Sequence, residues 1–199
     1  MTFFCLIVLT YFIGAIPSGV WLGKIFKNID VRDYGSKNSG ATNSYRVLGA
    51  KLGTAVLIMD VLKGFIPLYI ASKFNLEYND LVILGLVAIL AHTFSCFISF
   101  KGGKGVATFF GCMTALSLNL VLVLILCTLV IGIIVKSLTI GFYSSLPLIT
   151  YLNYVENPKF LILGLFIITV VLLSVVAIKD IEESFDKYFS VKKIKKSVR

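Results

Sequence analysis

Long stretches without charge decide what this chain can become. Apolar runs fall near 2–23, 52–72, 80–100, 105–118, 120–135, 139–155 and 159–178 of the 199 residues. A run of roughly 18 or more apolar residues can cross the hydrocarbon of a bilayer. Inside lipid only a helix or a closed barrel satisfies its own backbone, and these runs lack the polar–apolar alternation of barrel strands. With 58% hydrophobic residues and a mean hydropathy of +0.95, the chain reads as an all-α integral membrane protein. A single transmembrane helical domain is expected over 1–180 and a basic cytoplasmic tail over 181–199. No basic residue precedes the first run, Thr2 to Leu22, whereas a secretory signal usually carries one. That run is expected to be an uncleaved first span, bent at Pro17.

The runs at 105–118 and 120–135 are separated only by Asn119. They could form one tilted helix or a hairpin of two short ones. Cytoplasmic flanks collect Lys and Arg. With the hairpin, all but three of the 19 basic residues border cytoplasmic ends or lie in the tail; Lys73 and Lys159 fall outside and Lys63 within a run. A single helix would place Lys136 and the whole tail outside. Seven transmembrane helices are therefore expected, with the N-terminus outside and the C-terminus cytoplasmic. Segments 24–51, 100–105 and 136–140 then share the cytoplasmic face. The closing SVKKIKKSVR reads as a topology anchor rather than a dedicated binder of anionic lipid. The net charge of +9 comes without a nucleic-acid motif, so no nucleic acid is expected. Cys5, Cys96, Cys112 and Cys127 have neither metal nor redox spacing and sit in apolar runs as small hydrophobes. Neither a metal nor a cofactor is expected.

Against that background the polar segment DYGSKNSGATNSYR, residues 33–46, stands apart. Glycines such as Gly35 and Gly40 admit positive φ and let backbone N–H groups face a concavity, the arrangement that binds anions. Ser36, Asn38, Thr42 and Asn43 add side-chain donors. If a helix starts near Thr42, Arg46 shares its face, and the helix N-terminus itself favours an anion. A second segment, FKGGKGVAT at 100–108, offers Gly102 and Gly103 for close backbone approach and Lys104 as a point charge. It is not a nucleotide-binding G-x-x-x-x-G-K-[ST] loop, because glycine follows Lys104. One phosphate-bearing substrate touching both loops is the reading these features support. Within the runs, Asp60 and Lys63 are three apart and suited to pair on one helix face. His92, the only histidine, precedes the second loop and is a candidate substrate contact.

The segments SKNSGATNSYR and AHTFSCFISFKGGKGVAT resemble the bacterial PlsY family, the membrane-embedded acyl-phosphate:glycerol-3-phosphate acyltransferases. DVLKGFIPL and SGVWLGK are weaker points of likeness, which runs from about Gly14 to Leu148. The resemblance implies seven helices, a site facing the cytoplasm, and residence in the bacterial cytoplasmic membrane. It implies transfer of an acyl chain from acyl phosphate to the 1-hydroxyl of glycerol 3-phosphate, giving lysophosphatidic acid and phosphate. Arg46 and Lys104 match the family's functional basic positions. With Ser36 orienting the transferred proton, they form the expected catalytic set. Asn38, Gly40, Thr42, Asn43, His92, Gly102, Gly103 and Ser137 form the expected substrate-binding set. The chain departs from the family pattern at Lys37, a glycine there, and at Ser39 and Ser95, prolines there. Ala177–Ile181 stands where an H-R-x-N-I segment is usual.

No Ser–His pair with a third orienting group is visible, which argues against a covalent acyl-enzyme and for direct attack by the hydroxyl. Two other readings compete. An anion carrier is suggested by the Asp60–Lys63 pair and by Pro17, Pro67 and Pro147. A relative that only binds substrate is suggested by the altered segment at 177–181. Besides its two substrates and membrane lipid no partner is indicated, and a monomer is expected.

Overall fold

The computed structural model describes residues 1–185; the strongly basic end of the expected tail lies outside them. No strand occurs among the described residues. They divide into two compact units, the first spanning Met1–Ser117 and the second beginning at Leu118.

The first unit contains α1 (Thr2–Gly14), α2 (Ser18–Lys27), α3 (Ala41–Leu48), α4 (Ala50–Ala71), α5 (Tyr78–Thr93) and α6 (Val106–Leu116). The first apolar run is bent at Pro17, as the sequence leads one to expect. It breaks at Ala15–Pro17 with a 40° bend, because Pro17 has no N–H to donate and its ring opposes the preceding turn. Carbonyls at the break find partners elsewhere, as backbone in lipid must. Ile16 O accepts from Lys63 Nζ at 2.9 Å, and Ala15 O accepts from Ser95 Oγ at 2.5 Å. The break is thereby tied to α4 and to the segment after α5.

Helix contacts in lipid gain little from apolar burial alone, so close backbone approach at small residues matters. A Cβ on Gly64 would collide with Thr108 O, and one on Gly111 with Val61 O, which places α4 and α6 nearly backbone to backbone. Gly14 meets Ala88 and Ala91 of α5 in the same way. Cys112, buried between these helices, lies 3.7 Å from both Gly64 O and Gly85 O and behaves as a small core residue. Asp60 and Lys63 pair at 2.8 Å, both almost fully buried, as their spacing predicts.

The second unit contains α7 (Leu118–Val135), α8 (Leu138–Glu156) and α9 (Phe160–Val176), followed after a 65° bend by a helical segment Ile178–Phe185. The α7–α8 turn is tight. Lys136 sits at φ +56°, Gly141 leaves no room for a Cβ beside Thr128 O, and Ser137 Oγ caps α8 by accepting from Ile140 N at 3.3 Å.

The all-helical fold agrees with the sequence reading. The helix at 105–118 ends early: Ser117 is extended, and α6 has 11 residues, about 16 Å of helix. By length and composition three helical stretches among the described residues can each cross a bilayer: Ala50–Phe74, Tyr78–Ile98 and Leu118–Val135. There are up to five if each bent pair is one crossing. Each of the seven apolar runs is mainly helical, while fewer than seven meet that test.

Candidate active site

The first polar loop folds around one buried amide. After α2, the backbone turns left-handed at Asn28 (φ +54°) and makes a short turn at Val31–Asp33, started by the Asp30 side chain accepting from Arg32 N at 3.0 Å. Val31 drops between Val20 of α2, Leu48 of α3 and Ile98, an apolar nail under polar chain. Asn43, the third residue of α3 and almost fully buried, points back into the loop. Its Oδ1 accepts from Ser36 N at 2.9 Å. Its Nδ2 donates to Val31 O at 2.8 Å, Asn38 O at 2.9 Å and Tyr34 O at 3.1 Å. Asn38 Oδ1 in turn accepts from Gly40 N at 2.8 Å. Gly35 (φ +59°) has Asn43 Oδ1 where a Cβ would be.

The loop therefore runs directly into a helix start. Gly40 caps α3, and the first-turn amides of Ala41 and Thr42 have no acceptor within the helix. Such groups take up anions. Thr42 and Arg46 are exposed and four apart, so they lie on one outer face of α3. Ser36 is exposed beside them in the loop. Lys37, also exposed, holds a left-handed φ of +58° at a position where a glycine is at ease.

The second loop has the same grammar. Ser99 (φ +56°) and Phe100 (φ +60°) are both left-handed. The chain then folds back on the end of α5, with Gly102 N donating to Thr93 O at 2.9 Å and Gly103 N to His92 O at 3.2 Å. Cβ atoms at Gly102 and Gly103 would strike His92 O and His92 Nε2 respectively, so both glycines are required by close approach. Gly105, at φ +79°, caps α6, which makes this loop too an entrance to a helix N-terminus. Lys104 is half-buried between them.

His92 is buried, and its Nδ1 lies 4.0 Å from Asp60 Oδ1 without a hydrogen bond. The ring supports the floor of the second loop, while its main-chain carbonyl holds Gly103. Asn43 likewise supports the first loop, since its four hydrogen bonds go to backbone. Ser137 belongs to the second unit as the cap of α8.

One residue that the sequence reading passed over joins the loops. Arg32 Nε and Nη2 donate to the two Asp30 oxygens at 3.0 and 2.8 Å, and Nη1 donates to Ile98 O at 3.2 Å and Lys101 O at 3.5 Å. The hydrogen bonds from Arg32 hold the Asp30 carboxyl below its ordinary value. Next to this junction Arg32, Asp33, Lys37, Ser99, Lys101 and Gly102 line a polar cleft of about 460 Å³. The pairing of Arg32 with Asp30 two residues earlier was available in the sequence; its reach to Ile98 was not.

Comparison with known proteins places this arrangement. The family model described as glycerol-3-phosphate acyltransferase matches residues 4–187. The chain is 64% identical over 174 residues to a glycerol-3-phosphate acyltransferase of Fusobacterium nucleatum subsp. nucleatum, covering 84% of this chain and 90% of that one. It is 40% identical over 151 residues to the enzyme of that name from Lactiplantibacillus plantarum, covering 75% and 73%. The crystal structure of PlsY, an integral membrane glycerol 3-phosphate acyltransferase, in its glycerol 3-phosphate form superposes with a TM-score of 0.85 at 31% identity over 94% of each chain. Its lysophosphatidic acid form gives 0.81.

Proposed function

The chain belongs to the glycerol-3-phosphate acyltransferase family, and from that membership we propose how its site works and where its acyl group comes from. The protein is a membrane acyltransferase of phospholipid synthesis that acylates glycerol 3-phosphate. The proposed donor is acyl phosphate, already activated by its phosphate leaving group. The 1-hydroxyl oxygen of glycerol 3-phosphate bonds to the acyl carbon, the bond from that carbon to the phosphate oxygen breaks, and the hydroxyl proton leaves with the phosphate. Lysophosphatidic acid and inorganic phosphate result, with no covalent enzyme intermediate.

The protein's task is to hold two anions together and steady the charge that develops on the carbonyl oxygen. The amides of Ala41 and Thr42, with Thr42 Oγ1 and Arg46, take one phosphate; Lys104 and the amides at the α6 start take the other. Ser36 orients the hydroxyl proton. Positioning of this kind can supply about 7–11 kcal/mol of barrier reduction, and fixed donors at the developing charge add more. Asn43 and His92 act beneath the loops, keeping their amides aimed.

In the proposed topology the chain crosses the bacterial cytoplasmic membrane seven times, N-terminus outside and C-terminus inside, with α6 as the shortest pass. The distribution of Lys and Arg supports this, and it puts both loops on the cytoplasmic face. The protein is proposed to work as a monomer.

The observation that carries the reading is the junction at Arg32 and Val31, by which two glycine loops from distant parts of the sequence, each opening a helix, lie side by side. The test is phosphate release from palmitoyl phosphate by purified protein with glycerol 3-phosphate. Lys104→Ala and Arg46→Ala are each expected to lower it by about 100-fold or more, the scale of removing one preorganised donor. Arg46→Lys is expected to fail as well, since an ammonium lacks the planar fork. Near-wild-type turnover in both alanine variants rejects the site assignment. Glycerol 3-phosphate binding without transfer in the wild type identifies a binding-only relative, the reading that the altered segment Ala177–Ile181 raises.

A further inference from the structure

The second loop contains two consecutive non-glycine residues, Ser99 and Phe100, with φ of +56° and +60°. L-residues in this region are strained, and such pairs persist only where their surroundings over-determine them. The carbonyls on either side of the pair, Ile98 O and Lys101 O, both accept from one nitrogen, Arg32 Nη1. Ile98 O also takes Lys101 N at 3.2 Å and Ser95 O takes Phe100 N at 2.8 Å, so the guanidinium braces from outside a turn that the backbone itself closes. The other face of the guanidinium is locked by Asp30, which also accepts from Arg32 N and so fixes where the arginine sits in its own loop.

We propose that Arg32 is a positioning residue for acyl transfer: seated on Asp30 in the first loop, it clamps the strained Ser99–Phe100 turn and so sets the Gly102–Lys104 backbone opposite the first loop. The inference rests on the functional reading above. Lys101 is followed at once by Gly102 and Gly103, whose amides are held on Thr93 O and His92 O. If the turn relaxes, the direction in which the chain reaches Lys104 and the α6 start changes. Arginine is needed here because its planar fork presents several donors at fixed angles, two towards a carboxylate and one towards carbonyls. A lysine ammonium cannot keep both loops in register.

The test uses the full chain in lipid nanodiscs, with phosphate release followed over a range of acyl phosphate and glycerol 3-phosphate concentrations up to saturation. Arg32→Ala and Arg32→Lys are each expected to lower kcat about 100-fold, the scale of a small misplacement of a reacting group. The thermal midpoint should remain close to wild type, and KM should change less than kcat. Added guanidinium ion should restore part of the activity of Arg32→Ala and none of that of Arg32→Lys, whose own side chain fills the space. A wild-type kcat in Arg32→Ala, or full activity in Arg32→Lys, overturns the proposal. So does a kcat loss that only tracks a falling thermal midpoint and does not respond to guanidinium. If the wild type itself releases no phosphate under these conditions, the functional reading fails, and that outcome is distinct from the others.

Discussion

The Asn43 side chain is turned inward, and its amide satisfies main-chain groups of four other loop residues. This can be separated from a direct substrate role. Asn43→Asp keeps the size but sets an oxygen against the carbonyls of Val31, Tyr34 and Asn38 and takes a donor from each, although Val31 O keeps Tyr34 N at 3.4 Å and Tyr34 O keeps Lys37 N at 3.0 Å. Unmet buried partners cost about 1–3 kcal/mol each, so a loss of roughly 3 kcal/mol is expected, read as a lower thermal midpoint together with a raised KM for glycerol 3-phosphate. Lys37 tests the same loop from the opposite side. It adopts φ +58°, a conformation glycine takes without strain. Lys37→Gly removes a left-handed penalty of about 1–2 kcal/mol and returns part of it as unfolded-state entropy. A small net stabilisation is expected, visible as a raised midpoint with unchanged turnover. A fall in midpoint would show that the lysine makes a contact worth more than its strain.

At the scale of elements, the buried Asp60–Lys63 pair of α4 joins two pieces of chain, because Lys63 Nζ also donates to the Ile16 carbonyl at the α1–α2 break. Removing one partner leaves the other charge buried and alone, at a cost of about 3–5 kcal/mol, whereas replacing both together costs much less. Lys63→Met should therefore unfold in detergent at a clearly lower temperature than wild type, and Asp60→Leu with Lys63→Met should recover most of the difference. The loop clamp carries its own pH signature. Because bonding to Arg32 lowers the native Asp30 value, its contribution is complete above the unfolded value of about 3.9 and is lost only as pH falls through the lowered native one. Stability should show no dependence on this pair from pH 5 upward; below pH 4 the wild type should lose stability more steeply than Asp30→Asn, as acid unfolding curves would show.

At the scale of the whole molecule, each unit exposes large apolar side chains, such as Phe4 and Ile58 in the first and Leu122, Ile133 and Phe160 in the second, which would aggregate in water and are at home in lipid. The proposed topology sets the sidedness. In a cysteine-free background, Asn38→Cys and Ser99→Cys should react with an impermeant maleimide only from the cytoplasmic side, and Asn75→Cys only from the outside. Labelling of the first two from opposite sides would dismantle the shared site.

Local pattern was enough for much of this. Uncharged runs without polar–apolar alternation made the chain a set of membrane helices, because lipid allows only helices or closed barrels. The three-residue spacing of Asp60 and Lys63 announced their pairing, and glycine beside Asn, Ser and Lys marked both loops. Pro17 announced the bend between α1 and α2, but hydropathy did not show which partners take the carbonyls freed there or that α6 stops after 11 residues, since these depend on neighbouring segments and on glycine contacts with α4. Nor did composition show that Asn43 faces its own loop, that Gly103 rests on the His92 ring, or that Arg32 bonds a carbonyl 66 residues away. Those are consequences of chain path. A residue's type fixes which hydrogen bonds it can make, and only the folded arrangement of distant segments fixes which of them it does make.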